Sequence, residues 1–286
     1  GNDSHFGGGF FNALGASTLI NTTITGNLGV VGAGGIYSHG GTVDLTNSVV
    51  VGNQTFGTNA EVAGGPLTGS NNLTSGNAAD IFAAIDPLTA GGLLADNGGP
   101  VKTIALKADA SNLALDAGTD PAAPATDARG LTGVVDLSSV GNDGSGVGDL
   151  GAFELQKSAD DAISVLENGT VNNSNVLVND NVGGVQQVAY VNGSSSGVGT
   201  QITLSSGALL TLRANGDGDY DPNGAFDTLI DSATAVATGA VNTSATDTFT
   251  YAQSAVGQAT VTVTINGVSS ASDVLEGDTG DNAISG

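Results

Sequence analysis

The stretch GGGFFNALGASTLINTTITGN (7–27) aligns without a gap on AGGIYSHGGTVDLTNSVVVGN (33–53), an internal offset of 26 residues. Phe10 falls on Ile36, Leu19 on Leu45, Asn21 on Asn47 and Ile24 on Val50, and both copies end in Gly-Asn. A looser third copy, GSNNLTSGN (69–77), follows at a spacing of 24. A unit this short cannot enclose a core alone, so the copies must stack and bury their apolar faces on one another. Val, Thr, Ile and Leu at alternate positions predict short strands, and the Gly, Asn and Asp between them predict turns. In a parallel stack the inward Leu, Ile and Val of one rung cover those of the next. Asn at the corners tolerates left-handed backbone and can hydrogen-bond along the stack. The pattern therefore predicts right-handed parallel β-helix rungs over 1–84. About three rungs are the least such a solenoid needs, so the chain reads as an excerpt or a processed product of something longer.

Charge narrows the partners. Lys and Arg total 5 against 28 Asp and Glu, a net charge of −23, and the first basic residue is Lys102. Such a surface repels phosphate backbones and anionic lipid heads, which argues against nucleic acid and membrane surfaces and for divalent cations. No apolar run approaches the roughly 20 residues of a membrane span, so no membrane insertion is expected. With no cysteine, neither disulfides nor thiolate metal sites can contribute.

After the rungs come DPL (86–88), LLADNGGPVKT (93–103), SNLALDAGTD (111–120), TDARG (126–130) and GDLGAFE (148–154). In this order the motifs resemble the choice-of-anchor Q family of bacterial surface proteins, in which a parallel β-helix ends in such a segment. The resemblance covers 1–156 and implies that 85–156 closes the solenoid; it attaches no uniform activity. The chain departs from the family at Ile104 and Asn112, where His and Pro are usual. Arg129, the cation of TDARG, is expected to pair with Asp116, Asp127 or Asp149 and close the end of the solenoid.

Residues 157–268 run from SADDAISVLENGTVNNSNVLVND through SGALLTLRANGDGDYDPNGAFDTL to SATDTFTYAQSAVGQATVTVTINGV. These motifs resemble the cadherin-like and VCBS repeats of giant bacterial adhesins and imply an antiparallel cadherin/Ig-like β-sandwich of seven strands. Domains of this kind often bind calcium near their start. By that resemblance Asp160, Asp161, Glu167 and Asp180 are the candidate calcium ligands, with solvated turn acids as the plain alternative. The final stretch, 269–286, contains DVLEGDTGDNAISG and resembles the start of a hemolysin-type (RTX) calcium repeat, with Gly277, Gly280, Asn282 and Ile284 on the nonapeptide pattern. It implies type I secretion from a Gram-negative bacterium, hence an extracellular or cell-surface location.

DGDYDPNGAFD (217–227) invites a different calcium reading, because acids at alternate positions before a glycine are how a calcium loop is written. Counting from Asp219 puts Ile230 where the bidentate Glu belongs. The sandwich reading instead sends Tyr220 and Phe226 inward and makes Pro222-Asn223-Gly224 a turn. GVGDLG (146–151) satisfies G-x-G-x-x-G but no helix pattern follows it, so it reads as a turn. His5 and His39 are the two histidines, and both read as surface residues. The sequons at Asn21, Asn53, Asn72, Asn168, Asn172 and Asn242 reflect Asn/Thr-rich corners and turns.

Three function classes follow. A non-catalytic structural or adhesive module agrees with both resemblances, its partners being an extracellular polysaccharide, a surface protein or copies of itself. A subunit of a self-assembling extracellular filament is the second. A polysaccharide-active β-helix enzyme is the third; its usual basic residue is missing from the rungs, whose carboxylates before residue 60 are Asp3 and Asp44.

Overall fold

The computed structural model describes residues 1–119, 122–137, 140, 148–180 and 186–277. The chain divides between Gln156 and Lys157 into two compact units. Among the described residues the regular structure is mostly strand, with few helices and no closed barrel.

In the first unit the chain winds in coils that begin ahead of the aligned copies, and successive coils add strands to several small parallel sheets. The first coil supplies β1 (Asp3–Phe6), β2 (Phe10–Asn12), β3 (Gly15–Ile20) and β4 (Thr23–Ile24). The second supplies β5 (Leu28–Val31), β6 (Ile36–Ser38), β7 (Gly41–Thr46) and β8 (Val49–Val50). The third supplies β9 (Gln54–Thr55), β10 (Thr58–Asn59), β11 (Val62–Gly64) and β12 (Leu67–Thr68). The sheets run β1-β5-β9, β2-β6-β11, β3-β7-β12 and β4-β8, all parallel, and β10 folds back on β9 as a hairpin. Leu19 pairs Leu45 and Phe10 pairs Ile36, as the alignment requires. Val62 still pairs Ile36, but Leu67 pairs Val43, so the offset shortens from 26 to 24 between β11 and β12. Ile36, Val43, Leu45, Val50 and Ile24 are buried between the coils, with Phe10, Leu19 and Val62 packed against them.

The corners are polar and paired. Asn21, Asn47 and Asn71 take left-handed φ of 46, 49 and 56°, which Asn adopts at lower cost than other side-chain-bearing residues. Inside, Asn27 Oδ1 accepts from Asn2 N, and Asn53 Oδ1 accepts from both Asn27 N and Asn27 Nδ2. Glu61 ends this ladder: its carboxylate accepts from Gly52 N at 2.8 Å, Asn53 N at 3.1 Å and Asn53 Nδ2 at 2.7 Å. Burial pushes the Glu61 carboxyl up, and these donors oppose the shift. Asn53 is fully buried in this ladder, so its sequon reports architecture.

From α1 (Ala78–Ile81) to residue 156 regular pairing gives way to isolated bridges such as Phe82–Leu106 and Ala95–Thr103. Side chains replace the missing backbone ladder. Asn112, which departs from the expected proline, is fully buried; it donates to Ile81 O and Lys107 O and accepts from Ala114 N.

The second unit is two sheets around one core. Its strands are β13 (Asp161–Leu166), β14 (Val171–Asn175), β15 (Tyr190–Val191), β16 (Ile202–Thr203), β17 (Leu209–Leu212) and β18 (Asp217–Asp221). After α2 (Ser232–Thr238) follow β19 (Ser244–Ala252) and β20 (Ala259–Asn266). The orders are β13-β20-β19-β15 and β14-β18-β17-β16. Leu210, Leu212, Tyr220, Phe249, Tyr251, Val261, Val263 and Ile265 fill the space between them. The expectation of seven antiparallel strands needs correcting: eight strands are described, and β13 lies parallel to β20. Entry and exit therefore sit at opposite ends of one sheet, with Asp161 beside Val261 and Leu166 beside Asn266.

Candidate functional site

Three of the four expected calcium ligands lie near the chain's entry into the second unit. Asp180 is buried and saturated: it accepts from Ala159 N at 2.6 Å, Gln253 Nε2 at 2.8 Å and Tyr251 Oη at 3.1 Å. Tyr251 Oη also lies 2.7 Å from Val176 O, and burial followed by the Asp180 charge pushes the phenol up. Asp160 is exposed and accepts from Thr260 N at 2.8 Å. Asp161 is half-buried at the start of β13, and its Oδ2 is enclosed without a hydrogen-bond partner. Burial, then the charges of Asp180 and Asp160, push its carboxyl to about 6.

Glu167 does not join them. It follows β13, about 20 Å along the strand from Asp161 at the usual rise per residue. One of its oxygens accepts from Val268 N at 3.1 Å; the other is buried without a partner. The four residues named from the resemblance thus do not converge on one ion, because a six-residue strand separates Glu167 from the rest. Among the described residues no group of three or more His, Asp or Glu side chains is arranged to hold a metal.

The 217–227 stretch is a strand and a turn. Gly218 and Tyr220 face the core, and Tyr220 Oη donates to Asp247 Oδ2 at 2.9 Å. Phe226 packs against the same core. Asn223 and Gly224 have φ of 52 and 72°, and Asp221 Oδ1 accepts from Asn223 N to fix the turn. Asp217, Asp219 and Asp221 alternate with the inward residues; Asp219 pairs with Arg213, whose hydrogen bond holds the Asp219 carboxyl below the usual range. The strand and turn expected from the sandwich resemblance are present, and period two places successive side chains of the strand on opposite faces.

Arg129 is buried and bound, as its scarcity suggested. Its Nη2 lies 2.7 Å from Asp127 Oδ2, its Nε donates to the same oxygen, and Nη2 also donates to Glu154 O. Its guanidinium carbon sits 3.8 Å above the Phe153 ring. Around it, carboxylates serve as backbone acceptors. Asp149 takes Asp116 N and Leu155 N, Glu154 takes Asp149 N and Val135 N, and Asp116 takes Leu137 N. Burial is the main force pushing Asp149 and Glu154 up, and neighbouring carboxylates add to it. The sequence offered Asp116, Asp127 or Asp149 as the partner of Arg129, and Asp127 pairs with it; Glu154 stood in GDLGAFE without a role. Glu61 was also missed, and Tyr251 and Gln253 stood in the TYAQ of the sandwich motif without a role.

His5 and His39 are exposed, as expected, beside an aromatic group formed by Phe6, Phe11 and Tyr37. GVGDLG lies partly outside the described residues, as does the RTX-like stretch from residue 278 onward, including Gly280, Asn282 and Ile284. No helix among the described residues is long and apolar enough to cross a membrane. No family model, curated protein or solved structure matches the chain.

Proposed function

We propose that the chain is a non-catalytic structural and adhesive module of a large extracellular or cell-surface bacterial protein. In this reading the first unit is the end of a right-handed parallel β-helix with a choice-of-anchor-Q-type closure. The second is a VCBS/cadherin-like spacer, and the RTX-like end marks type I secretion. The observation that carries the reading is the parallel pairing of β13 with β20. A unit entered at one end of a sheet and left at the other can be strung in series, which a spacer needs. The solenoid has the same property, since each coil hands the chain to the next in one direction. Use of the buried carboxylates as backbone acceptors supports a mechanical rather than a catalytic role for them. Pull-down on purified polysaccharides and on whole cells tests the adhesive part. Release of unsaturated or reducing ends from any of these polymers would overturn the non-catalytic part.

Calcium stabilisation of the second unit belongs to the same proposal. Its support is the enclosed Oδ2 of Asp161, whose carboxyl lies within the electrostatic reach of Asp180 and Asp160. A cation bound only by the folded state raises its stability by about 2.7 kcal/mol at a hundredfold excess over Kd. Millimolar calcium should raise the melting temperature of the second unit, Asp161→Asn should abolish the rise, and Glu167→Gln should leave it. No rise in the parent chain removes calcium from the account.

A filament reading has one observation of its own: among the described strands of the second unit, β15 and β16 are each the terminal strand of their sheet. Open sheet edges can accept strands from another copy. Ordered fibres of uniform width in negative-stain micrographs would favour it, and discrete particles would sink it.

A further inference from the structure

β13 is the terminal strand of its sheet, and β20 is its neighbour there. The two run parallel and in register over six pairs, from Asp161 beside Val261 to Leu166 beside Asn266. Among the described strands of the second unit β13 is the first and β20 the last. Tension entering ahead of Asp161 therefore draws β13 along its axis toward its start, and tension leaving after Asn266 draws β20 the opposite way. The strands are loaded to slide, and the evenly spaced bonds of a parallel pair take that load together. An antiparallel pair at the same place would put entry and exit at one end, and the same tension would open it bond by bond.

Side chains lengthen this ladder beyond the strands. Asp160, one residue ahead of β13, accepts from Thr260 N at 2.8 Å, and Glu167, one residue after it, accepts from Val268 N at 3.1 Å. Asn266 Nδ2 donates to Ser164 Oγ at 2.9 Å. Ser164 stands opposite Thr264, two pairs behind Asn266, so this bond is a diagonal that sliding stretches. Beneath the ladder Val165, Val261, Val263 and Ile265 are buried, and Ile163 packs against the same core. Because side chains alternate, a slip of one residue would carry the apolar residues of β13 to the wrong face. On its other side β20 is bonded to β19 over a longer ladder, from Ser244 beside Asn266 to Tyr251 beside Ala259. Of its two neighbours, β13 is thus the one that yields first.

We propose that the β13–β20 pair is a shear clamp through which the second unit bears tension between its two ends. The proposal deepens the spacer reading above, because the direction of loading rests on attachment in series. The chain has no cysteine, so introduced pairs define the pulling points. Optical-tweezers unfolding of the full chain held at Lys157→Cys and Ser269→Cys loads the clamp lengthwise. Held at Lys157→Cys and Gln258→Cys, both handles sit at the Asp161–Val261 end, and the pair peels open from there. All three positions are exposed, and all lie in the second unit, so the first is never stretched. Residue 269 also precedes the bonds of Val274 to Thr228 and Asn242, which carry none of the load.

The lengthwise pull should need a force several times that of the peel, since six registered pairs share the load instead of one. Forced unfolding reads the unfolding rate. Ser164→Ala, at an exposed position, removes the diagonal; it should speed lengthwise unfolding roughly two- to tenfold, the range of one hydrogen bond, and leave the peel unchanged. Equal forces in the two directions, or a weaker lengthwise hold, would overturn the clamp and leave the spacer reading standing. Equal acceleration of both pulls by Ser164→Ala would overturn the place of the diagonal in the clamp. A directional hold in a chain that retains no polysaccharide and no cell would support the clamp and sink adhesion.

Discussion

Removing the Arg129 side chain should unravel the closing segment of the first unit. Arg129 and Asp127 side chains are 2% and 3% exposed, so each has given up its hydration for the other. Breaking a buried pair by deleting one partner costs about 3–5 kcal/mol, because the other charge stays buried. Here the survivor keeps company: Asp127 still accepts from Leu131 N, Glu154 N and the backbone N of residue 129. Those donors soften the loss. Against them stand the vacated face of Phe153 and Glu154 O, which loses its guanidinium donor. Arg129→Ala should therefore cost about 4 kcal/mol, in the middle of that range. For a unit of this size 1 kcal/mol moves Tm by about 2–4 °C, so the expected drop is about 8–16 °C. Arg129→Lys keeps a charge but loses the planar fork and the stack over Phe153, and should fall between parent and Ala. Differential scanning calorimetry on the full chain gives the transitions, and hydrogen-exchange mass spectrometry assigns them to one unit or the other. A loss below about 1 kcal/mol for Arg129→Ala, or a Lys variant as stable as the parent, would refute the keystone role.

Other outcomes follow from the same geometry. Asn53→Ala removes four hydrogen bonds from the internal ladder, among them one of the three donors of Glu61; a loss of about 2–4 kcal/mol is expected in the first unit by urea titration, against about 1 kcal/mol for Ser48→Ala. Tyr251→Phe removes the hydroxyl between Val176 O and Asp180 and should cost the second unit about 1–3 kcal/mol, read as a fall in its urea midpoint. Asp149 and Glu154 have folded pKa values raised above the ordinary carboxylate range, so below about pH 4 both states hold the protons and no penalty exists. As pH rises from there the unfolded chain releases them first, and the stability of the first unit falls until the folded carboxyls ionise too. Its urea midpoint should be higher at about pH 5 than at about pH 8; a midpoint that rises over this interval would contradict the burial of these carboxyls.

Periodic features were legible in the sequence. The 26-residue offset fixed which apolar residues lie opposite one another, and Leu19–Leu45 and Phe10–Ile36 are register partners. Corner Asn residues were expected to take left-handed backbone, and Asn21 and Asn47 do. The sandwich resemblance sent Tyr220 inward, and the strand's period of two leaves Asp217, Asp219 and Asp221 on the other face. These are local facts, set by a backbone whose side chains repeat every second residue and by coils that repeat along one axis. The candidate ion site was half legible: the acids of the entry segment were named, but a strand of six residues carries Glu167 away from Asp160, Asp161 and Asp180.

What tertiary structure decided has no period. Which carboxylates are dehydrated depends on where irregular segments pass one another, and Asp116, Asp149 and Glu154 come together only because residues 116, 135–137 and 149–155 cross. Glu61 ends the Asn ladder because the turn after β10 brings it under Asn53, at 2.7 Å. Phe6 joins Phe11 and Tyr37 from outside the repeat. Burial and hydrogen-bond satisfaction are properties of the assembled surface, summed over distant parts of the chain. Periodicity can say which way a side chain points, and only the packed chain says what waits there.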